Sequence, residues 1–112
     1  MVIAPDKFKG TATARAVAHT IADRLWETGH DTVEVPMADG GEGFLDVLGG
    51  PNRTTPVTGP LGRAVDAGWR LSKRVAVIEV AGASGLTLAG GPEGNDPIGA
   101  TTAGVGELIA LA

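Results

Sequence analysis

The sequence predicts an α/β fold: a parallel or mixed sheet with flanking helices, followed by a β-hairpin segment that starts a second α/β domain. Three observations carry this expectation. The apolar run Met1-Val2-Ile3-Ala4, stopped by Pro5, reads as a strand buried on both faces, the pattern of a parallel sheet. The order strand, loop, helix then occurs twice in succession, as in chains that alternate strands and helices around one sheet. Further on, Ala64 to Leu71 alternates apolar and polar residues and is followed at once by a second apolar run, which is a hairpin pattern.

Each element has its own signal. After the first strand, Asp6 to Gly10 is a polar loop. Thr13 has the residue type and position of an N-cap, and Ala14 to Thr28 is the first helix. Its apolar stripe is Ala14, Val17, Ala18, Ile21, Ala22 and Leu25, and Gly29 stands where a helix-ending glycine belongs. Thr32 to Val35 is a second short strand ended by Pro36. The loop 37–43 leads into a short helix, Phe44 to Leu48, closed by Gly49-Gly50-Pro51. Arg53 to Val57 is a strand and Thr58-Gly59-Pro60-Leu61-Gly62 a turn. Ala64 to Leu71 places Val65, Ala67, Trp69 and Leu71 on one face, and Val75 to Val80 pairs with it across Ser72-Lys73. Ala81 to Gly99 is expected to be a long loop, after which Thr101 or Thr102 caps a helix that runs to the last residue. Residues 1–50 form a βαβα part of Rossmann or flavodoxin-like kind. Residues 51–112 hold the hairpin, the glycine-rich loop and the start of a helix of an incomplete second domain. The final helix keeps its spacing through Val105, Leu108, Ile109 and Ala112 with no closing glycine, so the chain is expected to be the N-terminal piece of a longer protein.

Composition narrows the function. With no cysteine among 112 residues, disulfides, zinc–thiolate sites and thiol nucleophiles are excluded. The two histidines, His19 and His30, cannot form a multi-histidine metal site and read as structural or solvated. A net charge of −4 without a basic run argues against nucleic acid as a partner. No apolar run approaches the roughly 18 residues of a membrane span. No secretory signal pattern is visible, so a cytoplasmic location is expected. Glycine supplies 18 residues and proline 7, about twice their ordinary combined share, in short clusters between apolar segments. Such glycines serve tight turns or close approach of backbone to a ligand.

The candidate chemistry sits after the strands. Asp6 follows the first strand; Asp39 and Glu42 follow the second, inside Asp39-Gly40-Gly41-Glu42-Gly43. Ligands of open parallel sheets bind beyond the carboxyl ends of the strands, so both loops should face one crevice. Carboxylates there suit Mg²⁺ bound partly through water, or a hydrogen bond to a substrate hydroxyl; turn-building and helix capping are the structural alternatives. Gly40, Gly41 and Gly43 would let backbone N–H groups converge on an anion at a helix start. The run is neither a Walker A loop nor GxGxxG. Acidic side chains repel phosphate unless a metal intervenes, so a metal or a hydroxyl partner is implied, and Asp39 and Glu42 are the candidates to ligate such a metal. Of the two loop lysines, Lys9, framed by Phe8 and Gly10, is preferred over Lys7 as a point charge for a phosphate or carboxylate.

Glu79 interrupts Val75-Ala76-Val77-Ile78-Glu79-Val80. A carboxylate in a fully buried strand must be paired or face a site, while on an edge strand it simply faces water. Ser84 is a hydroxyl donor; it fails the Gly-x-Ser-x-Gly elbow and has no histidine nearby. Thr101 and Thr102, with Gly104 and Gly106 just beyond, open the last helix as an anion site or as ordinary caps.

In combination these stretches resemble the type I glycerate kinase family. The segments are Ile3-Ala4-Pro5-Asp6-Lys7-Phe8-Lys9-Gly10, Pro36-Met37-Ala38-Asp39-Gly40-Gly41-Glu42-Gly43, Thr58-Gly59-Pro60-Leu61-Gly62, Ile78-Glu79 with Ala83-Ser84-Gly85-Leu86, and Asn95 with Pro97 leading to Ala100-Thr101-Thr102 and Gly104-Val105-Gly106-Glu107-Leu108-Ile109. They span essentially the whole chain in order. The resemblance implies a kinase using ATP and Mg²⁺ to phosphorylate D-glycerate to 2-phosphoglycerate, or in some members 3-phosphoglycerate. It also implies two α/β domains about a cleft, residues 1–50 belonging to a nucleotide- or substrate-binding domain, in a chain more than three times as long. Asp6, Lys9, Asp39, Glu42 and Glu79 would be catalytic. Gly40, Gly41, Gly43, Ser84, Thr101 and Thr102 would bind substrate or phosphate, with Asp39 and Glu42 near the metal or the glycerate hydroxyls. Lys7 stands where many members have serine and is given no role. The 112 residues alone are expected to be inactive. The alternative is a non-catalytic domain that binds a small hydroxy acid or a nucleotide.

Overall fold

The computed structural model describes residues 1–8 and 10–112, which divide into two units, Met1–Leu48 and Gly49–Ala112. It is a mixed α/β structure, with a parallel pair of strands in the first unit and an antiparallel sheet in the second.

The first unit is a strand–helix–strand crossover: β1 (Val2–Ile3), α1 (Ala14–Glu27), β2 (Val33–Glu34) and then the single turn α2 (Phe44–Val47). β1 and β2 are parallel, with Val2 opposite Val33 and Ile3 opposite Glu34. The ladder continues past the strand ends, Val35 N donating to Ile3 O at 2.8 Å and Met37 N to Pro5 O at 2.9 Å. Helix α1 starts where Thr13 Oγ1 accepts from Ala16 N at 3.2 Å. It stops at Gly29, whose φ of +81° permits paired bonds from Gly29 N to Trp26 O and from His30 N to Leu25 O. Ala18 and Ala22 are buried on Ile3 with Leu25 at the flank; small side chains let the helix lie close on the strand. His19 Nδ1 meets Glu34 Oε1 at 3.2 Å, and this bond, reinforced by the charges of Asp23 and Glu34, raises the imidazole pKa above its ordinary value.

Within this unit the first strand is buried on one face: Ile3 lies under α1, whereas Val2 and Val33 are 68 % and 60 % exposed. The reason is that one helix covers one face of a two-stranded sheet, and alternate residues point away from it.

The second unit is built on an antiparallel sheet in the order β3 (Arg53–Thr58), β4 (Ala64–Ser72), β5 (Val75–Ile78). Pro56 is tolerated because β3 is an edge strand in this sheet. The predicted alternation of β4 holds: Ala67 and Trp69 are buried and Val65 and Leu71 pack beside them. Trp69 Nε1 donates to Thr55 Oγ1 at 3.0 Å, so the indole is buried with its polar atom satisfied.

The expected buried strand through Val80 is corrected. β5 ends at Ile78 on a sheet edge with Val75 exposed, and Glu79 is half-buried in the turn that follows. The long loop is corrected too. It contains two single-turn helices, α3 (Ala81–Ser84) and α4 (Gly91–Gly94). The last helix, α5 (Ala103–Leu111), is anchored by Thr101 Oγ1 accepting from Ala103 N at 3.1 Å, while Thr102, at the N-cap, makes no side-chain capping bond. Val57, Ala67, Trp69, Ala83 and Leu108 form the core, which ties α3 and α5 to the sheet. Among the described residues no helix is long and apolar enough to cross a membrane.

A carboxylate also fastens α5 to β3. Glu107 accepts from Thr58 Oγ1 at 2.7 Å and from Thr58 N at 2.9 Å, and these two bonds lower its pKa. A lowered folded value means that the stabilisation is complete above the unfolded carboxylate value and is lost as pH falls through the folded one. Glu107→Gln is therefore expected to lower the denaturation midpoint at neutral pH, and the gap from wild type should close on acidification below 4.5. A gap that stays constant down to about pH 3 in parallel urea titrations would remove this role from Glu107.

Candidate functional site

The parallel pairing in the first unit sets two loops side by side, since both strands end at the same edge. Loop 5–8 brings Asp6, whose Oδ1 accepts from Lys7 N at 2.6 Å. Loop 36–43 brings Asp39 and Glu42. Asp39 Oδ1 accepts from Gly41 N at 2.9 Å, which folds the loop back on itself; Gly40 and Gly43 each hold a φ of +91°, a conformation that glycine adopts without strain. The side chain of Lys7 crosses from one loop to the other, and its Nζ donates to the Glu42 carbonyl. Its stem runs close past Gly43 and its ammonium past Gly41.

This arrangement brings Asp6, Asp39, Gly40, Gly41, Glu42 and Gly43 together at one edge of the unit. The Gly41 N–H is taken by Asp39, and the Phe44 N–H by the Gly41 carbonyl at 3.1 Å, so these two donors build the loop. Lys7 adds a positive charge to it. Lys9, the lysine preferred from sequence, lies outside the described residues. Nothing in the residue types of this loop distinguishes Lys7 from any solvated lysine; only the pairing of the strands shows its reach.

The second unit holds a cavity of about 260 Å³ lined by Pro60, Ser84, Leu86, Ala89, Asn95, Ala100, Thr101 and Thr102. Three predicted residues, Ser84, Thr101 and Thr102, thus meet although the first is 17 positions from the second along the chain. Ser84 enters at the end of α3, which is held by Ser84 N donating to Val80 O at 2.8 Å. Thr101 is placed by its N–H on the Pro60 carbonyl at 2.9 Å. Ser84 Oγ is buried and has no hydrogen-bond partner. Asn95, given no role from sequence, adds an amide that both donates and accepts. Glu79 lies just ahead of α3, where its carbonyl accepts from Gly82 N at 3.0 Å, and it does not line this cavity.

No group of three or more His, Cys, Asp or Glu able to hold a metal occurs among the described residues. Asp39 and Glu42, on one loop, are two carboxylates and fall short of a cage made by protein alone.

A sequence model of the glycerate kinase family matches residues 1–112. The chain belongs to that family. Its relatives include a glycerate 2-kinase of Escherichia coli strain K12, 44 % identical over 97 % of this chain and 30 % of the relative's length. A glycerate kinase of Haemophilus influenzae is also 44 % identical, over 99 % of this chain and 31 % of its own. A crystal structure from Salmonella typhimurium LT2, assigned as a glycerate kinase 2, superposes with a TM-score of 0.74 at 40 % identity, covering 98 % of this chain and 32 % of that one. The chain thus spans about a third of the length of these glycerate kinase relatives.

Proposed function

We propose that the full-length protein carrying this chain is an ATP-dependent glycerate kinase, transferring a phosphoryl group to a hydroxyl of D-glycerate to give 2- or 3-phosphoglycerate. The observation that carries the reading is the cavity of the second unit. At about 260 Å³ it has room for a three-carbon acid. Its polar groups are hydroxyls and an amide, which match a polyhydroxy acid, and the unpartnered Ser84 hydroxyl gains a hydrogen bond when such a ligand enters. Family membership and the names of the relatives support phosphoryl transfer to glycerate; ATP as the donor is part of the proposal.

Phosphoryl transfer asks a protein for position and charge neutralisation more than for covalent chemistry. In this proposal Ser84, Thr101, Thr102 and Asn95 orient the hydroxy acid. On the loops of the first unit Asp39 and Glu42 would hold Mg²⁺, which when bound neutralises charge on the phosphates, with Gly40, Gly41 and Gly43 shaping that loop. Asp6 and Glu79 are the remaining acids for orienting or deprotonating the attacking hydroxyl, and Lys9 is a further cation. The location follows as cytoplasmic, where ATP is available.

The test is ADP release by the full-length protein with D-glycerate, ATP and Mg²⁺, with the product isomer read by phosphorus NMR. Glycerate-dependent turnover is expected in the full-length protein and none in residues 1–112 alone. A folded full-length protein that releases no ADP in response to D-glycerate would overturn the reading in favour of a binding domain. Within the same assay Asp39→Asn is expected to lower kcat about a hundredfold, the size of effect seen when a charge-stabilising group is removed from an active site. Near-normal turnover would take Asp39 out of the machinery.

A further inference from the structure

Lys7 is the residue whose placement the reading above leaves unused. We propose that its ammonium is a binding group for an anionic oxygen of a substrate, either a carboxylate or a phosphoryl oxygen. Three observations point there. First, the side chain is held in place: it is half-buried, and its Nζ donates to the carbonyl of Glu42 across 35 residues of sequence. An ammonium has three donors, and that carbonyl takes one. Second, the side chain lies against the other loop: Lys7 Cδ is 3.9 Å from the Cβ position of Gly43 and Nζ 3.7 Å from that of Gly41, ordinary van der Waals contact. Third, charge in the described residues of the two loops leaves the role to it. Gly41 N–H is consumed by Asp39 Oδ1, and the other charged side chains described here, Asp6, Asp39 and Glu42, are all acidic. Among the described residues of the two loops, Lys7 is the cation.

A lysine anchored through one hydrogen bond is pre-positioned, so it loses little side-chain freedom when an anion arrives. Its charge also offsets the repulsion that three carboxylates would exert on the same oxygen. The proposal uses the kinase reading only to name the two anionic substrates of the test.

Steady-state kinetics of full-length Lys7→Met and Lys7→Arg are to be measured beside amine acylation of the wild type. Lys7→Met is expected to raise KM about tenfold or more for one substrate with kcat within about threefold, and Lys7→Arg to recover most of the loss. A rise confined to D-glycerate assigns the carboxylate, and one confined to ATP assigns the phosphate. Acylation of Lys7, followed by mass spectrometry, should slow in the presence of D-glycerate, ADP or inorganic phosphate. That readout does not require turnover: protection by phosphate in a protein with no kinase activity would uphold Lys7 while removing the kinase reading. If both KM values stay within about twofold in Lys7→Met and no anion protects Lys7, the proposal is overturned.

Discussion

Gly104→Ala is expected to be among the most damaging single-methyl changes in the second unit. Alanine is ordinarily the better helix residue, by about 1 kcal/mol. At position 104 the gain is reversed, because a Cβ would overlap the Thr58 carbonyl oxygen and stand 3.0 Å from Val57 Cγ2. The carbonyl belongs to β3, which is paired along its length to β4 and cannot retreat alone. Relief requires α5 to lift from the sheet. That exposes Leu108, which is 0 % exposed, and parts Glu107 from Thr58. Overpacking costs of about 1–3 kcal/mol are ordinary, and the loss of these contacts places Gly104→Ala at the upper end. Gly106, in the same helix with nothing near its Cβ position, is the control: Gly106→Ala should stabilise by about 1 kcal/mol. The pair is checked by urea denaturation. Equal midpoints for the two variants would show that α5 does not lie on β3 as described.

That contrast also explains which parts of this structure could be read in advance. Helix α1 was legible because a cap, a stripe and a terminating glycine agree on the same limits. Strand β4 was legible because its two faces differ in environment, which writes alternation into the residues. The two single-turn helices were not, since four residues carry no period and their stretch holds six of the glycines. The apolar run of the first strand does not say how many of its faces are covered within its own unit. Glycines in α5 look alike in sequence, yet Gly104 makes room for a neighbouring strand and Gly106 meets nothing.

The candidate site divides in the same way. Loops after parallel strands must meet at one edge, so the neighbourhood of Asp6 with Asp39 and Glu42 follows from the strand order. The choice between Lys7 and Lys9 does not follow from it, because which lysine reaches depends on the path of a turn. Ser84, Thr101 and Thr102 were each legible as hydroxyls near helix ends. Their common cavity was not, because it depends on how α3 and α5 pack on the sheet. Asn95 carried no signal beyond its place beside Pro97 within one motif.

Ser84→Ala should therefore separate stability from function. In the unliganded chain Ser84 Oγ is buried without a partner, a state that costs about 1–3 kcal/mol. Removing the oxygen removes that cost, and the methyl remains to pack beside Ala83, itself 0 % exposed. The variant is expected to gain about 1 kcal/mol in denaturation free energy. The same oxygen is the one that a hydroxy acid would satisfy, and a hydrogen bond to a charged group is worth about 1.5–3 kcal/mol. On that basis kcat/KM for D-glycerate in the full-length protein should fall about tenfold to a hundredfold. Opposite signs in the two measurements mark a group kept for a ligand at the expense of the fold. If Ser84→Ala destabilises the protein and leaves kcat/KM unchanged, the hydroxyl is structural and the cavity is not where the hydroxy acid binds. If it stabilises the protein and abolishes the response to D-glycerate, the Ser84 hydroxyl belongs to the site of the hydroxy acid.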